Sequence, residues 1–203
     1  MASELSRRER KKIESKQRLV DCAAALFTCR GYNATPMEYI GECADVSRAT
    51  VFNYFPRKED LVLAWFDSRR ADLADVLAED KGKPDDAPTR LRAAFRALAR
   101  IFEDDPETGR GMMRAWLQAG GPLLTPDSET TSLLADVVRA GKDRGEVTPN
   151  ADPGRAGRLL FDAYIGVLYR WVTTGDEQME LEEDLLAALD LVLDGIAPPT
   201  AQP

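Results

Sequence analysis

Proline recurs just behind a capping residue along this chain, and that punctuation decides most of its architecture. Asp86 precedes Pro88, and Asp105-Pro106, Thr125-Pro126 and Asp152-Pro153 repeat the arrangement. Asp or Thr at an N-cap accepts a hydrogen bond from a first-turn N–H, and proline in that turn lacks only a donor that would go unpaired. Each pair therefore predicts a helix start. Glycines supply the stops, at Gly31, Gly120-Gly121, Gly145 and Gly175. No stretch alternates convincingly with period two, and Ala, Leu, Arg and Asp outweigh Val and Ile. An all-α fold of about nine helices follows.

The first helix is expected over 12–30, where Leu19, Ala23, Leu26 and Phe27 recur at helical spacing. Ahead of it, Ser6 to Lys12 (SRRERKK) has no apolar residue and reads as a disordered basic arm. Thr35, Pro36 and Glu38 fit N-cap, N1 and N3 of a second helix as a capping box. Asp45 breaks that helix, and Ser47 can cap a third through Tyr54. Two short helices joined by a three-residue turn, Asp45 to Ser47, have the helix-turn-helix layout. Helix four is expected from Lys58 to about Leu77, with a loop over Glu79 to Pro88. The remaining helices are expected over 88–104, from Pro106 to Gly120, from Pro126 to Gly145, from Pro153 to Gly175, and over 180–196. The Pro-rich tail from Ala197 should fray. This divides the chain into a head, 1–58, and a body, 59–203.

A formal net charge of −8 looks wrong for a nucleic-acid binder, but its distribution is uneven. Residues 1–58 hold 11 Lys and Arg against 7 Asp and Glu, a balance of +4 that leaves −12 for the body. The basic surface is therefore confined to the head. There, Val46, Val51 and Phe55 form the apolar back of the third helix and leave Arg48, Thr50, Asn53 and Tyr54 on the other side. Arg can read guanine and Asn adenine in the major groove, hydroxyls of Thr50 and Tyr54 suit phosphate, and Ala49 permits close approach. Lys58 pairs a cation with the exposed N–H groups of a helix start. The cations Arg7, Arg8, Arg10, Lys11 and Lys12 can track phosphates.

The run from Arg18 to Leu61 (RLVDCAAALFTCRGYNATPMEYIGECADVSRATVFNYFPRKEDL) resembles the N-terminal domain of TetR-type repressors without a gap. Among the positions that carry the likeness are Leu19, Phe27, Gly31, Tyr32, Thr35, Ile40, Val46, Ser47, Thr50, Tyr54, Phe55, Lys58 and Leu61. The resemblance implies a three-helix DNA-binding head and a larger helical body that dimerises and holds an effector. It assigns DNA contact to Thr35, Ser47, Arg48, Ala49, Thr50, Asn53, Tyr54 and Lys58. Three residues depart from the family pattern. Asp45 replaces a turn glycine but tolerates a left-handed backbone; Ala49 replaces a glycine; Phe52 replaces a tyrosine and so lacks one phosphate hydrogen bond.

The body shows no comparable signature. Its aromatic and methionine positions read either as plain core or as the wall of an apolar effector pocket between helices. On the second reading Phe66, Phe102, Met113, Trp116, Phe161 and Tyr164 line the pocket, with Arg114, Gln118 and Tyr164 as polar groups, and the effector is a small apolar or aromatic molecule. Leu168, Trp171, Leu185, Leu189, Val192 and Leu193 form an apolar stripe on the last two helices. In the resembling family these helices pair with their copies, so the stripe is the expected homodimer face. A two-fold dimer sets two recognition helices roughly 35 Å apart and requires a palindromic operator.

The chain has no His, which removes His-based catalysis and His metal sites, and it has no Gly-rich phosphate loop or nucleophile motif. It reads as a non-enzyme without cofactor or metal. Three cysteines, no CxxC pair, no signal sequence and no membrane-length apolar run point to a soluble protein of the reducing cytoplasm. Cys22 falls where the resembling family holds a small buried residue, which implies inert core, while Cys29 and Cys43 fall at more exposed positions, with a redox-sensing role as the alternative although no basic cluster lowers their pKa. Two functions fit: a homodimeric repressor released from its operator by an effector, or an effector-independent architectural or protein-recruiting DNA-binding factor.

Overall fold

The computed structural model describes residues 6–79, 86–121, 129–174 and 179–196. Among the described residues the regular elements are nine α-helices: α1 (Arg7–Arg30), α2 (Met37–Cys43), α3 (Arg48–Tyr54), α4 (Lys58–Glu79), α5 (Ala87–Glu103), α6 (Pro106–Gln118), α7 (Glu129–Asp143), α8 (Pro153–Thr173) and α9 (Leu181–Ile196). The all-α fold read from the sequence is the one observed. Asp86 caps α5 by accepting from Thr89 N, and Asp152 caps α8 by accepting from Arg155 N, each with proline in the first turn. Gly145, at φ 77°, ends α7's connection in a left-handed turn. The expected start at Thr125-Pro126, the stop at Gly175 and the frayed tail lie outside the described residues.

Two local expectations need correction. The basic run is not a loose arm but the first turns of α1. Ser6 accepts from Glu9 N and Glu9 accepts from Ser6 N, a complete capping box, so the helix begins at Arg7 rather than near residue 12. At α2 the reverse holds. Pro36 is the N-cap and makes no side-chain cap, while the Thr35 hydroxyl donates back to Gly31 O at 2.8 Å. Thr35 therefore closes the turn after α1 instead of opening α2.

The chain divides into two compact units, Met1–Ser68 with Pro106–Pro122, and Arg69–Asp105 with Leu123–Pro203. In the first, α1 packs on α2 and α6, and α2 on α3. Its core holds Leu19, Val20, Ala23 and Phe27 of α1 with Ile40, Val51, Leu61, Trp65, Met112, Met113 and Trp116. A Cβ on Gly111 would lie 2.8 Å from Thr28 Cα and Cβ, so only glycine lets α6 lie this close to α1. In the second unit α8 packs between α7 and α9, and α5 contacts α7 and α9. This division by packing differs from the division at 58/59: α6 lies far beyond residue 59 yet packs on α1.

Candidate DNA interface

The turn between α2 and α3 is built by short-range chemistry. Asp45 takes a left-handed backbone, φ 53°, and is the sole non-glycine with positive φ among the described residues. Its short polar side chain tolerates that region, as expected from the substitution of Asp for Gly. Val46 N donates to Gly41 O at 3.0 Å, which folds the turn back on α2. Ser47 then caps α3, accepting from Thr50 N at 3.2 Å, and its hydroxyl lies 2.8 Å from that of Thr50. Gly41 sets the spacing of the two helices, because a Cβ there would come within 2.8 Å of Val51 Cγ2. Val51 and Phe55 are buried against this seam.

With that face buried, Ser47, Arg48, Ala49, Phe52 and Asn53 are exposed, and Thr50 and Tyr54 are half-buried. The Arg48 guanidinium pairs with Glu38 of α2 at 3.1 Å and lies 5.6 Å from the Phe52 ring centroid. Its side chain is still 73% exposed, so a base edge or phosphate can compete for it with one exposed carboxylate. Phe52 has no hydroxyl to offer a phosphate, but its ring supports the arginine. Two cations of α1 are also exposed, Lys16 and Arg30. Lys16 of α1 lies 5.9 Å from the ring centroids of both Tyr54 and Phe55, and Arg30 stacks 5.5 Å from exposed Tyr39. Lys16 and the Arg30–Tyr39 pair were not among the residues expected from sequence, since the approach of Lys16 to α3 and of Arg30 to α2 depends on how the helices pack. Arg7, Arg8, Arg10, Lys11 and Lys12 are all exposed along the start of α1.

Two of the expected contacts are placed elsewhere by the structure. Thr35 is fully buried, and its hydroxyl is tied to backbone carbonyls. The Lys58 ammonium turns inward. It donates to Tyr32 O at 2.6 Å and Thr35 O at 3.2 Å and lies 4.1 Å from the Tyr32 ring centroid. Burial lowers its pKa, and burial together with the Glu59 charge pushes the Tyr32 phenol up to about 12. Lys58 thus ties the start of α4 to the turn between α1 and α2, and its charge satisfies that turn rather than standing free.

The expected pocket residues are all buried, but they fall in two sets. Phe66, Met113 and Trp116 belong to the first unit, where the Trp65 and Phe66 rings meet edge to face at 5.0 Å. The Trp116 indole N–H is buried there without a hydrogen-bond partner. Phe102, Phe161 and Tyr164 belong to the second, with Phe161 and Tyr164 rings 6.1 Å apart and Phe102 against Trp171 at 6.1 Å. Arg114 and Gln118, expected to face a pocket, are exposed.

The expected dimer stripe is largely internal. Leu168, Trp171, Leu185, Leu189 and Leu193 are all buried within the single chain, and only Val192 is half-exposed. They form the seam of α8 and α9 with the rest of their own unit. The apolar side chains that do face outward on these helices are Leu159 (53% exposed), Tyr169 (52%) and Leu191 (76%).

Residues 19–65 match the family model described as bacterial regulatory proteins, tetR family. The chain is 26% identical over 182 residues to the HTH-type transcriptional repressor KstR of Rhodococcus jostii, spanning 89% of this chain and 83% of that protein. It is similar in structure to Thermus thermophilus FadR, a TetR-family transcriptional repressor crystallised with lauroyl-CoA, with a TM-score of 0.72, 26% identity, and 93% and 98% of the two chains covered. The Bacillus subtilis transcriptional regulator FadR, crystallised with stearoyl-CoA, shares the fold at a TM-score of 0.68 and 18% identity, with 89% and 98% covered.

Proposed function

Since the chain belongs to the TetR family of transcriptional regulators, we propose that it acts as a homodimeric repressor whose α3 helices read a palindromic operator and whose body answers to a small apolar effector. The observation that carries the reading is the exposed edge of α3. Ser47, Arg48, Ala49 and Asn53 stand free of the core on a helix held by a capped, tightly turned seam. Arg48 and Asn53 supply the base-reading groups, while Ser47, Thr50 and Tyr54 supply phosphate donors. Thr35 and Lys58 shape the support beneath them. The head is residues 1–58 by function, with α6 as its structural backing, and 59–203 carries the effector and dimer roles.

Dimerisation through α8 and α9 uses their outward side chains, Leu159, Tyr169 and Leu191, with Val192 at the edge, while the buried leucines hold the two helices in register. The effector reading draws on the buried Phe66, Met113 and Trp116 of the first unit and on the unpartnered Trp116 N–H, a donor that a ligand acceptor can satisfy. The FadR relatives make medium- and long-chain acyl-CoA thioesters the first compounds to try. No helix among the described residues is long and apolar enough to cross a membrane, and a site of action beside cytoplasmic DNA fits the reading.

The test is selection of duplexes from a random library, followed by anisotropy titration in rising salt. A two-fold symmetric consensus should emerge, with affinity that falls steeply with salt. Arg48→Ala should weaken binding by about 1–3 kcal/mol and relax preference at one position in each half-site. Lauroyl-CoA, stearoyl-CoA and simpler apolar compounds are then added to the bound complex, and release by one of them is expected. Binding without a symmetric consensus would overturn the operator reading. A consensus complex that no ligand of the body weakens or strengthens would instead favour an effector-independent factor.

A further inference from the structure

Cys22 of α1 and Cys43, the last residue of α2, are joined in a disulfide, with Cα atoms 5.9 Å apart and 21 positions apart in sequence. Both were expected to be unpaired. We propose that this pair is a reversible redox site, oxidised by peroxide and reopened by a dithiol, that staples α2 to α1 and sets the stability of the helix-turn-helix.

The separation lies within the range that a disulfide bridges without backbone movement, so the fold itself brings the thiols to bonding distance. The bond lies one residue before the turn. Cys43 is followed at once by Ala44 and by Asp45, whose left-handed backbone directs the chain into α3. A cross-link there fastens the supporting helix of the recognition helix to the longest helix of the head. A DNA-binding protein works where thiols are kept reduced, and disulfides in such compartments are usually transient and redox-sensing rather than structural. Access supports reversibility, because Cys43 is exposed and Cys22 half-buried. Cys29, also exposed, is free; its thiol donates to Leu26 O at 3.7 Å, and it serves as an internal control.

The chemistry balances with peroxide as the oxidant. The Cys43 thiolate attacks the O–O bond, forming a sulfenic acid and one water. The Cys22 thiol then attacks that sulfur and displaces the hydroxyl as a second water. Two thiols lose two electrons and two protons, and one hydrogen peroxide becomes two waters. An external dithiol returns both electrons and both protons. Closing the loop restricts the unfolded chain, so the oxidised protein should melt about 5–10 °C above the reduced one.

The experiment uses the full chain, reduced with dithiothreitol, desalted, and treated with one to a few equivalents of hydrogen peroxide. Non-reducing tryptic mapping follows. Cys22 and Cys29 share the peptide Leu19–Arg30, whereas Cys43 lies in Gly31–Arg48, so Cys29→Ser is mapped in parallel to assign the partner. The expected result is a cross-link between these two peptides that forms in wild type and Cys29→Ser, is absent in Cys43→Ser, and disappears with dithiothreitol. The raised midpoint should come and go with it. Reduced wild type blocked with iodoacetamide gives the uncross-linked reference without any substitution. No cross-link in the folded chain, a cross-link lost in Cys29→Ser, or a cross-linked protein that melts no higher than the reduced one would each overturn the proposal.

Discussion

Replacing a helical glycine by alanine ordinarily stabilises, by up to about 1 kcal/mol, because alanine loses less backbone freedom on folding. At Gly111 the sign should reverse. The added methyl would lie 2.8 Å from both Cα and Cβ of Thr28, about 1 Å inside ordinary contact, and also against the Thr28 hydroxyl. The Cα is backbone, so no rotamer change relieves it, and α6 must lift from α1. Overpacking of this kind costs about 1–3 kcal/mol. Set against the propensity gain, Gly111→Ala should lose about 1–2 kcal/mol net, or a midpoint some 3–6 °C lower. Thr28→Ala is the companion change. Its Oγ1 is buried without a hydrogen-bond partner, so its removal alone should cost little. In the double variant the hydroxyl clash is gone but the Cα and Cβ clashes remain, so part of the loss should be recovered and part not. Thermal and urea unfolding of the four proteins measure the cycle. If Gly111→Ala raises the midpoint, or if Thr28→Ala restores it fully, the close packing of α6 on α1 is not what this glycine serves.

Other consequences follow from single features. Asp45→Gly should raise stability by about 0.5–1 kcal/mol in urea unfolding, because glycine adopts the left-handed turn without side-chain cost; a loss would mean that the Asp side chain, not the backbone, maintains the turn. Leu191→Arg, at a position 76% exposed, should leave the midpoint of the chain nearly unchanged yet shift the protein from dimer to monomer in sedimentation velocity; an unchanged dimer places the interface elsewhere. Arg144 and the Ala87 N–H hold the Glu146 carboxyl below its ordinary 4.5, and the hydrogen bond from Thr89 lowers Asp86 below 3.8. A carboxylate depressed in the fold stabilises above its unfolded value and loses that contribution as pH falls through the folded one. Glu146→Gln should therefore be less stable than wild type at pH 7, with a gap that narrows as the pH falls below 4.5, and a constant gap across that range would refute the assignment.

Local grammar made much of this molecule legible. Ser47 capping α3, Asp86 and Asp152 capping their helices, and the left-handed Asp45 all follow from what a few neighbouring residues prefer. Even the unexpected start of α1 was written locally, since Ser6 and Glu9 stand at capping-box spacing; the density of charge after them masked it. What was not legible depends on packing. Helical periodicity finds an apolar stripe but not what it faces, so Leu185 and Leu189, both fully buried, looked the same as a partner-facing surface, whereas the outward Leu191 carried no pattern. Lys58 looked like a free cation because nothing in its neighbours shows that two carbonyls 23 and 26 positions earlier await it. The Cys22–Cys43 pairing likewise joins two helices whose packing brings distant positions together.

The packing of α6 on α1 bears on how the protein is made. A chain leaving the ribosome completes α1 to α3 first, yet α1 gains the cover of Met112, Met113 and Trp116 only when α6 follows, with residues 69–105 of the other unit in between. Synthesis proceeds at about 5–20 residues per second, so the roughly 50 residues between Ser68 and the end of α6 leave an apolar face of the nascent head uncovered for some 3–10 seconds. During that interval the helix-turn-helix is fully synthesised but not yet backed. The packing beneath the helix-turn-helix becomes complete only after part of the other unit has been built.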